Sequence, residues 1–100
     1  MKKRFILLLN SSSPQQNEAF LAAIRAHQIV WWHWFPNAWL IVNPPGNLTA
    51  EELRDMANTC FPGVHKVVLE SRANGTETWA GFGPTNTNMF EWIRENWKQL

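Results

Sequence analysis

Short apolar runs and amphipathic stretches alternate along the chain, with proline, glycine, asparagine or serine between them. The first apolar run, Phe5 to Leu9, is continuous, which is typical of a strand that is buried on both faces. Its basic lead-in resembles a signal peptide, but the apolar run is shorter than the core of one, so we interpret it as a strand. A helix that ends at about His27 is predicted next, because apolar residues recur there at helical spacing.

Two capping boxes mark where helices should begin. Ser13, Pro14 and Gln16 suit the N-cap, the first and the third positions of the first helix. Thr49 and Glu52 repeat the pattern ahead of a second helix, which should end at Pro62-Gly63. The buried stripe of that second helix is expected to comprise Leu53, Met56, Ala57 and Cys60.

The segment from Ile29 to Val42 holds four of the seven tryptophans of the chain. With a turn at Pro36-Asn37, it predicts a β-hairpin that is apolar on both faces, because side chains alternate along a strand. Its first strand should point Ile29, Trp31, His33 and Phe35 to one face and Val30, Trp32 and Trp34 to the other. Both faces must therefore be covered, and Trp31, Trp32, Trp34 and Trp39 become candidates for an interface or for stacking on a ligand.

The last third of the chain predicts two strands and a helix. Val64 to about Ala73 should form a strand, Asn74-Gly75 a tight hairpin turn, and Thr76 to Phe82 an extra strand. A final amphipathic helix is predicted from about Asn88 to Lys98, with Phe90, Ile93 and Trp97 along one side.

These elements predict a single α+β domain over residues 1–100. Their order, β-α-β-β-α-β followed by an extra late strand and a C-terminal helix, is that of a ferredoxin-like sandwich. Both early helices then cover one face of the sheet. The last helix, about 16 Å long, should cover only part of the other face and leave Ile6, Leu8, Val68 and one set of tryptophans partly exposed. Because an uncovered apolar face usually marks an interface, we expect a homodimer.

The charge and cysteine content of the chain limit the classes of partner and the compartment that we expect. Nine basic and eight acidic residues give a net charge of +1, which supplies no strong field for nucleic acid or a membrane surface. The chain has one cysteine, Cys60, which fits a reducing compartment and predicts a cytoplasmic protein. No apolar run approaches the length of a membrane span.

Groups of residues that carry chemistry are sparse. His27, His33 and His65 lack metal-ligand spacing with one another or with Cys60. The serines before Pro14 have no accompanying base or glycine elbow, so capping explains them better than nucleophilic catalysis. We therefore predict no catalytic residue, no metal site and no cofactor.

One resemblance covers nearly the whole chain. The motifs W-W-H, A-W-L-I-V, L-T-A-E-E-L-R-D, K-V-V-L-E, W-A-G-F and F-E-W-I-R-E-N-W resemble a group of small bacterial and phage proteins described as uncharacterised or "SinR-family". In topology this group is similar to the CRISPR-associated endoribonuclease Cas-two. The resemblance implies a ferredoxin-like homodimer, although a shared fold does not imply a shared function.

Asn10 tests the nuclease implication. Cas-two proteins carry an aspartate at the end of the first strand, where two copies hold a divalent cation between carboxylates. The matching position here is Asn10, whose neutral amide is a poor ligand for a hard cation. Asn10 is thus a weak candidate for a nuclease position, and a role in turning the chain explains it better.

Three functions follow from this sequence. The first is a non-catalytic homodimer, for instance a phage-borne or defence-linked regulator, that binds a protein partner through its aromatic surface. The second is a nucleic-acid-binding protein in which tryptophans stack on bases while Lys2, Lys3, Arg4 and Arg25 contact phosphates. The third is a metal-dependent endoribonuclease of Cas-two type, which Asn10 disfavours.

Overall fold

The computed structural model describes residues 2–71 and 91–97 of the chain. It is an α+β structure in which two helices pack on a four-stranded sheet. The elements are β1 (Lys3–Leu9), α1 (Pro14–Arg25), β2 (Val30–Phe35), β3 (Ala38–Asn43), α2 (Ala50–Cys60) and β4 (Lys66–Ser71). Residues 91–97 form a helical C-terminal segment, of which Ile93–Trp97 is a π-helix.

Both helices begin at the predicted capping boxes. In α1 the Ser13 backbone N–H donates to Gln16 Oε1 at 3.0 Å, while the Gln16 N–H donates to Ser13 Oγ at 3.2 Å. In α2 the Thr49 N–H donates to Glu52 Oε1 at 2.9 Å, and the Glu52 N–H donates to Thr49 Oγ1 at 3.0 Å. Each box satisfies two backbone donors that the first turn of a helix leaves without partners.

The ends of two elements differ from the prediction. The first helix ends at Arg25 rather than His27, because the chain turns out of the helix and Gln28 adopts a left-handed backbone with φ 53°. The strand β4 begins at Lys66 rather than Val64, since the Val64 N–H is used in a turn, where it donates to the Phe61 carbonyl. The predicted turn at Asn74-Gly75, the strand over 76–82 and Phe90 lie outside the described residues.

The four strands are antiparallel and lie in the order β2-β3-β1-β4. Helices α1 and α2 cover the same face of this sheet, where they bury alternate residues of β1 and β3. We call this the helix face. Its core comprises Phe5, Leu7, Leu9, Phe20, Ile24, Ile29, Trp39, Ile41, Leu48, Leu53, Ala57 and Phe61.

The opposite face of the sheet, which we call the open face, is partly covered by the C-terminal segment. Ile93 and Trp97 are buried there against Trp32 and Val42, with Ile6, Val30 and Leu40 packed around them. The hairpin therefore has apolar contacts on both of its faces, as its sequence predicts.

A β-bulge interrupts the hairpin. Trp32 pairs with Leu40 and Phe35 with Ala38, so two residues of β2, His33 and Trp34, lie opposite Trp39 alone. Phe35 packs edge-on against Trp32, with 5.0 Å between ring centroids. The prediction that Phe35 shares a face with Trp31 is therefore wrong, because the extra residue reverses the alternation. Within the described residues, no helix is long and apolar enough to cross a membrane.

Candidate functional site

A row of apolar side chains crosses the open face from one edge of the sheet to the other. In the strand register, Phe35 lies opposite Ala38, Ala38 opposite Leu8, and Leu8 opposite Val67. Cross-strand partners point to the same face, so these four residues form one continuous line, which we call the apolar row. At ordinary strand spacing the row spans about 14 Å.

Most of the apolar row is exposed. The exposed fractions are 50% for Phe35, 42% for Leu8 and 46% for Val67, while Ala38 is half-buried. Leu69, two residues beyond Val67 on the same face of β4, is 49% exposed. Large apolar side chains that share one face and one neighbourhood are typical of an association surface rather than of scattered exposure.

The C-terminal segment leaves the apolar row open because it lies over the neighbouring rows. Its Trp97 ring lies 5.1 Å from the Arg4 guanidinium, and the Trp97 carbonyl accepts a 2.7 Å hydrogen bond from Arg4 Nη1. Lys2 Nζ donates to the Asn96 carbonyl at 2.9 Å. Burial, with a smaller contribution from the Arg4 charge, lowers the pKa of Lys2. These contacts hold the segment over the N-terminal end of β1, at Lys2 and Arg4, and so away from Leu8 near the other end of the strand.

The structure places the four candidate tryptophans in different environments. Trp39 and Trp32 are buried, at 1% and 5% exposure. Trp31 is half-buried against the core, with the Arg25 guanidinium 5.4 Å from its ring. Trp34 alone of the four is broadly accessible, at 42%. Most of this aromatic segment is therefore core, and Trp34 remains as a candidate for contact with a partner.

Trp39 joins the hairpin to α1. Its indole Nε1–H donates to Asn17 Oδ1 at 3.2 Å, and its ring packs edge-on against Phe20 at 5.0 Å between centroids. The His33 ring stacks on the Trp39 ring, with centroids 3.8 Å apart and planes 7° from parallel. His33 Nδ1 also lies 3.0 Å from the Ala38 carbonyl, so this histidine has a structural role within the bulge.

Asn10 lies at an exposed bend that follows β1, where its backbone N–H donates to the His65 carbonyl at 2.9 Å. This contact links the end of β1 to the chain that leads into β4. Across residues 2–71 and 91–97, no three histidine, cysteine, aspartate or glutamate side chains are grouped as a metal site would require.

Ser12, Ser13 and Cys60 make contacts that stabilise the fold. Ser13 caps α1, while Ser12 Oγ lies 2.8 Å from both the Pro36 carbonyl and Asn37 Oδ1 and so ties the helix start to the hairpin turn. Cys60 is partly buried against the helix-face core, and this burial raises the pKa of its thiol. A raised pKa makes a thiol a weak nucleophile at neutral pH.

The sequence identifies part of the apolar row and misplaces another part. Leu8 is exposed as expected, and Ile6 is half-buried. Val68 is half-buried, so it is partly exposed as expected, but it lies on the helix face, and Val67 and Leu69 occupy the open face instead. The strand pattern V-V-L-E is apolar at consecutive positions, so only the register with β1 decides which residues face outwards.

Comparison of the chain with known protein families, with curated proteins and with solved structures finds no match.

Proposed function

We propose that this protein is a non-catalytic, ferredoxin-like association module that forms a homodimer through the apolar row. The fold part of this proposal is supported by strand order and direction. Read from the β4 edge, the order is 4-1-3-2 with antiparallel neighbours, and both helices lie on one face. The resemblance to the SinR-family group is part of the same proposal and rests on the sequence motifs.

The observation that carries the functional part is the exposure of Phe35, Leu8, Val67 and Leu69 on one face. Four such half-exposed side chains present on the order of 300 Å² of apolar area. Removing that area from water is the main source of binding energy available on this face.

A second copy of the chain is the occupant that fits best. The apolar row consists of apolar side chains alone, so it offers no charge for an acidic or basic partner to match. An apolar row that meets its own copy around a twofold axis is self-complementary, as a symmetric dimer requires. Two copies would bury on the order of 600 Å² of apolar surface through these residues, below a standard stable interface, which predicts a weak dimer.

Binding of nucleic acid is less well supported. That alternative needs Lys2, Lys3, Arg4 and Arg25 to contact phosphates, and of these only Arg25 is exposed, with its guanidinium 5.4 Å from the Trp31 ring. In the structure, Lys3 Nζ donates to the Leu48 carbonyl at 3.1 Å, Arg4 is buried, and Lys2 holds the C-terminal segment. These three cations are committed to contacts within the chain, on a different part of the sheet from Trp34 and Phe35.

Sedimentation velocity over a range of concentrations tests the proposal. We expect the average mass to rise above the monomer mass of 11.6 kDa as the concentration increases. Leu8→Glu should abolish this rise, because it places two charges in a dry interface. The matched control is Ala22→Glu on the exposed surface of α1, which should leave association unchanged. A monomer at every concentration, or equal behaviour of Leu8→Glu and the parent, would contradict the proposal.

A further inference from the structure

The C-terminal segment covers the part of the open face that borders the apolar row. Its two buried side chains, Ile93 and Trp97, are 7% and 8% exposed and pack against Trp32 and Val42. Because a helical segment this short is not stable by itself, its contacts with the sheet hold it in place.

The covered surface continues directly into the apolar row. Ile6 of β1 pairs with Leu40 of β3, and both pack against the cluster that the segment buries. Leu8 and Ala38 are the next residues on the same face of these two strands, and they also pair with each other. Release of the segment would therefore join the covered surface and the apolar row into one apolar face.

The docked segment limits how closely two open faces can approach each other. Two sheets that pack face to face lie about 10 Å apart, and a helix with its side chains is itself about 10 Å across. The segment therefore occupies the space that the sheet of a second copy would need over the covered surface. While it is docked, two copies can bring together only their apolar rows.

The covered surface makes the difference between a weak and a stable dimer. The apolar row alone gives two copies on the order of 600 Å² of buried surface, below a standard interface. Trp32, with Val42, Ile6 and Leu40 around it, would add on the order of 300 Å² from each copy. The whole open face would then bury about 1,200 Å², which reaches the range of stable, specific interfaces.

We propose that the C-terminal segment is an intramolecular competitor of dimerisation. It lies where a second copy of this chain binds most tightly, and its release extends the interface from the apolar row to the whole open face. This inference rests on the proposed function, because it takes a second copy as the occupant of the open face. A competitor lowers the apparent affinity in proportion to the fraction of molecules in which it is released. Weaker contacts between the segment and the sheet should therefore strengthen the dimer.

Two adjacent lysines provide a matched pair of variants. Lys2 Nζ donates to the Asn96 carbonyl of the segment, whereas Lys3 Nζ donates to the Leu48 carbonyl on the helix face. Lys2→Ala and Lys3→Ala remove the same charge, but only the first removes an anchor of the segment. In sedimentation velocity, Lys2→Ala should lower the dissociation constant of the dimer by roughly threefold, as expected for the loss of one hydrogen bond. Lys3→Ala should associate as the parent does.

Trp97→Ala should have a larger effect, because it removes the buried ring that packs on the sheet. We expect the dissociation constant to fall by at least about tenfold. Glu95→Ala, at an exposed position of the same segment, is the control and should leave it unchanged. Leu8→Glu combined with Trp97→Ala should be monomeric, which distinguishes dimerisation through the open face from general aggregation. Should Trp97→Ala fail to fold, the comparison of the two lysine variants still decides.

The outcomes separate this inference from the proposed function. A parent that dimerises with the same dissociation constant as Lys2→Ala and Trp97→Ala, or more tightly than they do, overturns the competitor and leaves the proposed homodimer intact. A parent that is monomeric at every concentration, with Trp97→Ala dimeric, supports the competitor and contradicts the proposed function of the parent chain. Monomers throughout would overturn both.

Discussion

The two faces of β1 carry similar apolar side chains but have different surroundings. Phe5, Leu7 and Leu9 alternate with Ile6 and Leu8 along the strand, and the first three are buried under the helices. Ile6 is half-buried beside the C-terminal segment, and Leu8 is 42% exposed in the apolar row. Hydrophobicity alone thus does not determine burial here. The available cover does, and it differs between adjacent residues of one strand.

The largest difference in the free energy of unfolding, between loss of a buried and loss of an exposed side chain, should be seen in the hairpin. Trp39→Ala removes a buried ring that packs against Phe20 and His33, so it should lower the free energy of unfolding by about 3–5 kcal/mol. Trp34→Ala removes a ring that is already 42% exposed and should cost less than about 1 kcal/mol. Urea denaturation of both variants measures this difference. Equal costs would show that Trp34 is as well packed as Trp39.

Leu7 and Leu8 are adjacent but lie on opposite faces of the sheet. The same substitution at each position therefore measures how much burial under the helices contributes to the free energy of unfolding. Leu7→Ala leaves a cavity beneath the helices and should cost about 2–5 kcal/mol. Leu8→Ala removes a side chain that is 42% exposed and should cost about 1 kcal/mol or less, while it weakens self-association. Chemical denaturation at low protein concentration separates the first effect from the second. A Leu8→Ala variant as unstable as Leu7→Ala would mean that the apolar row is covered within the monomer.

The smallest of the expected effects concerns the reactivity of Cys60, which lies partly buried against the core of the helix face. Because burial raises the pKa of its thiol, the folded protein favours the protonated form, and this contribution to stability is complete below the pKa of the unfolded thiol. It is lost as the pH rises through the raised pKa of the folded state. Alkylation by iodoacetamide at pH 8 should therefore be slower in the folded protein than in urea, and its rate should increase at higher pH. Equal rates in the folded and unfolded protein would contradict the burial of this thiol.

The sequence predicts features that depend on neighbouring residues. The two capping boxes need only residues three positions apart, so Ser13 with Gln16 and Thr49 with Glu52 are recognisable without any knowledge of the fold. The turn at Pro36-Asn37 is likewise a local signal, and it falls where β2 and β3 are joined.

Features that depend on register are harder to predict. Val67 and Val68 are the same residue type in adjacent positions, and only pairing with β1 places Val67 on the open face. The bulge at His33 and Trp34 carries no glycine to mark it, so the sequence gives no reason to expect the reversal at Phe35. The contacts that Lys2 and Arg4 make with the C-terminal segment join opposite ends of the chain, and no spacing along the sequence predicts them.

Because of the bulge in β2, Phe35 rather than Trp34 lies in the apolar row. With β2 regular and Trp32 still opposite Leu40, Trp34 would lie opposite Ala38 and Phe35 would move into the turn. Removal of either bulged residue would instead keep Phe35 opposite Ala38 and remove one aromatic or imidazole ring from the hairpin. Loss of the bulge by a shift in register would therefore exchange Phe35 for Trp34 in the apolar row without any substitution, whereas deletion of a bulged residue would leave Phe35 there. The bulge itself thus determines which aromatic side chain the sheet presents for association.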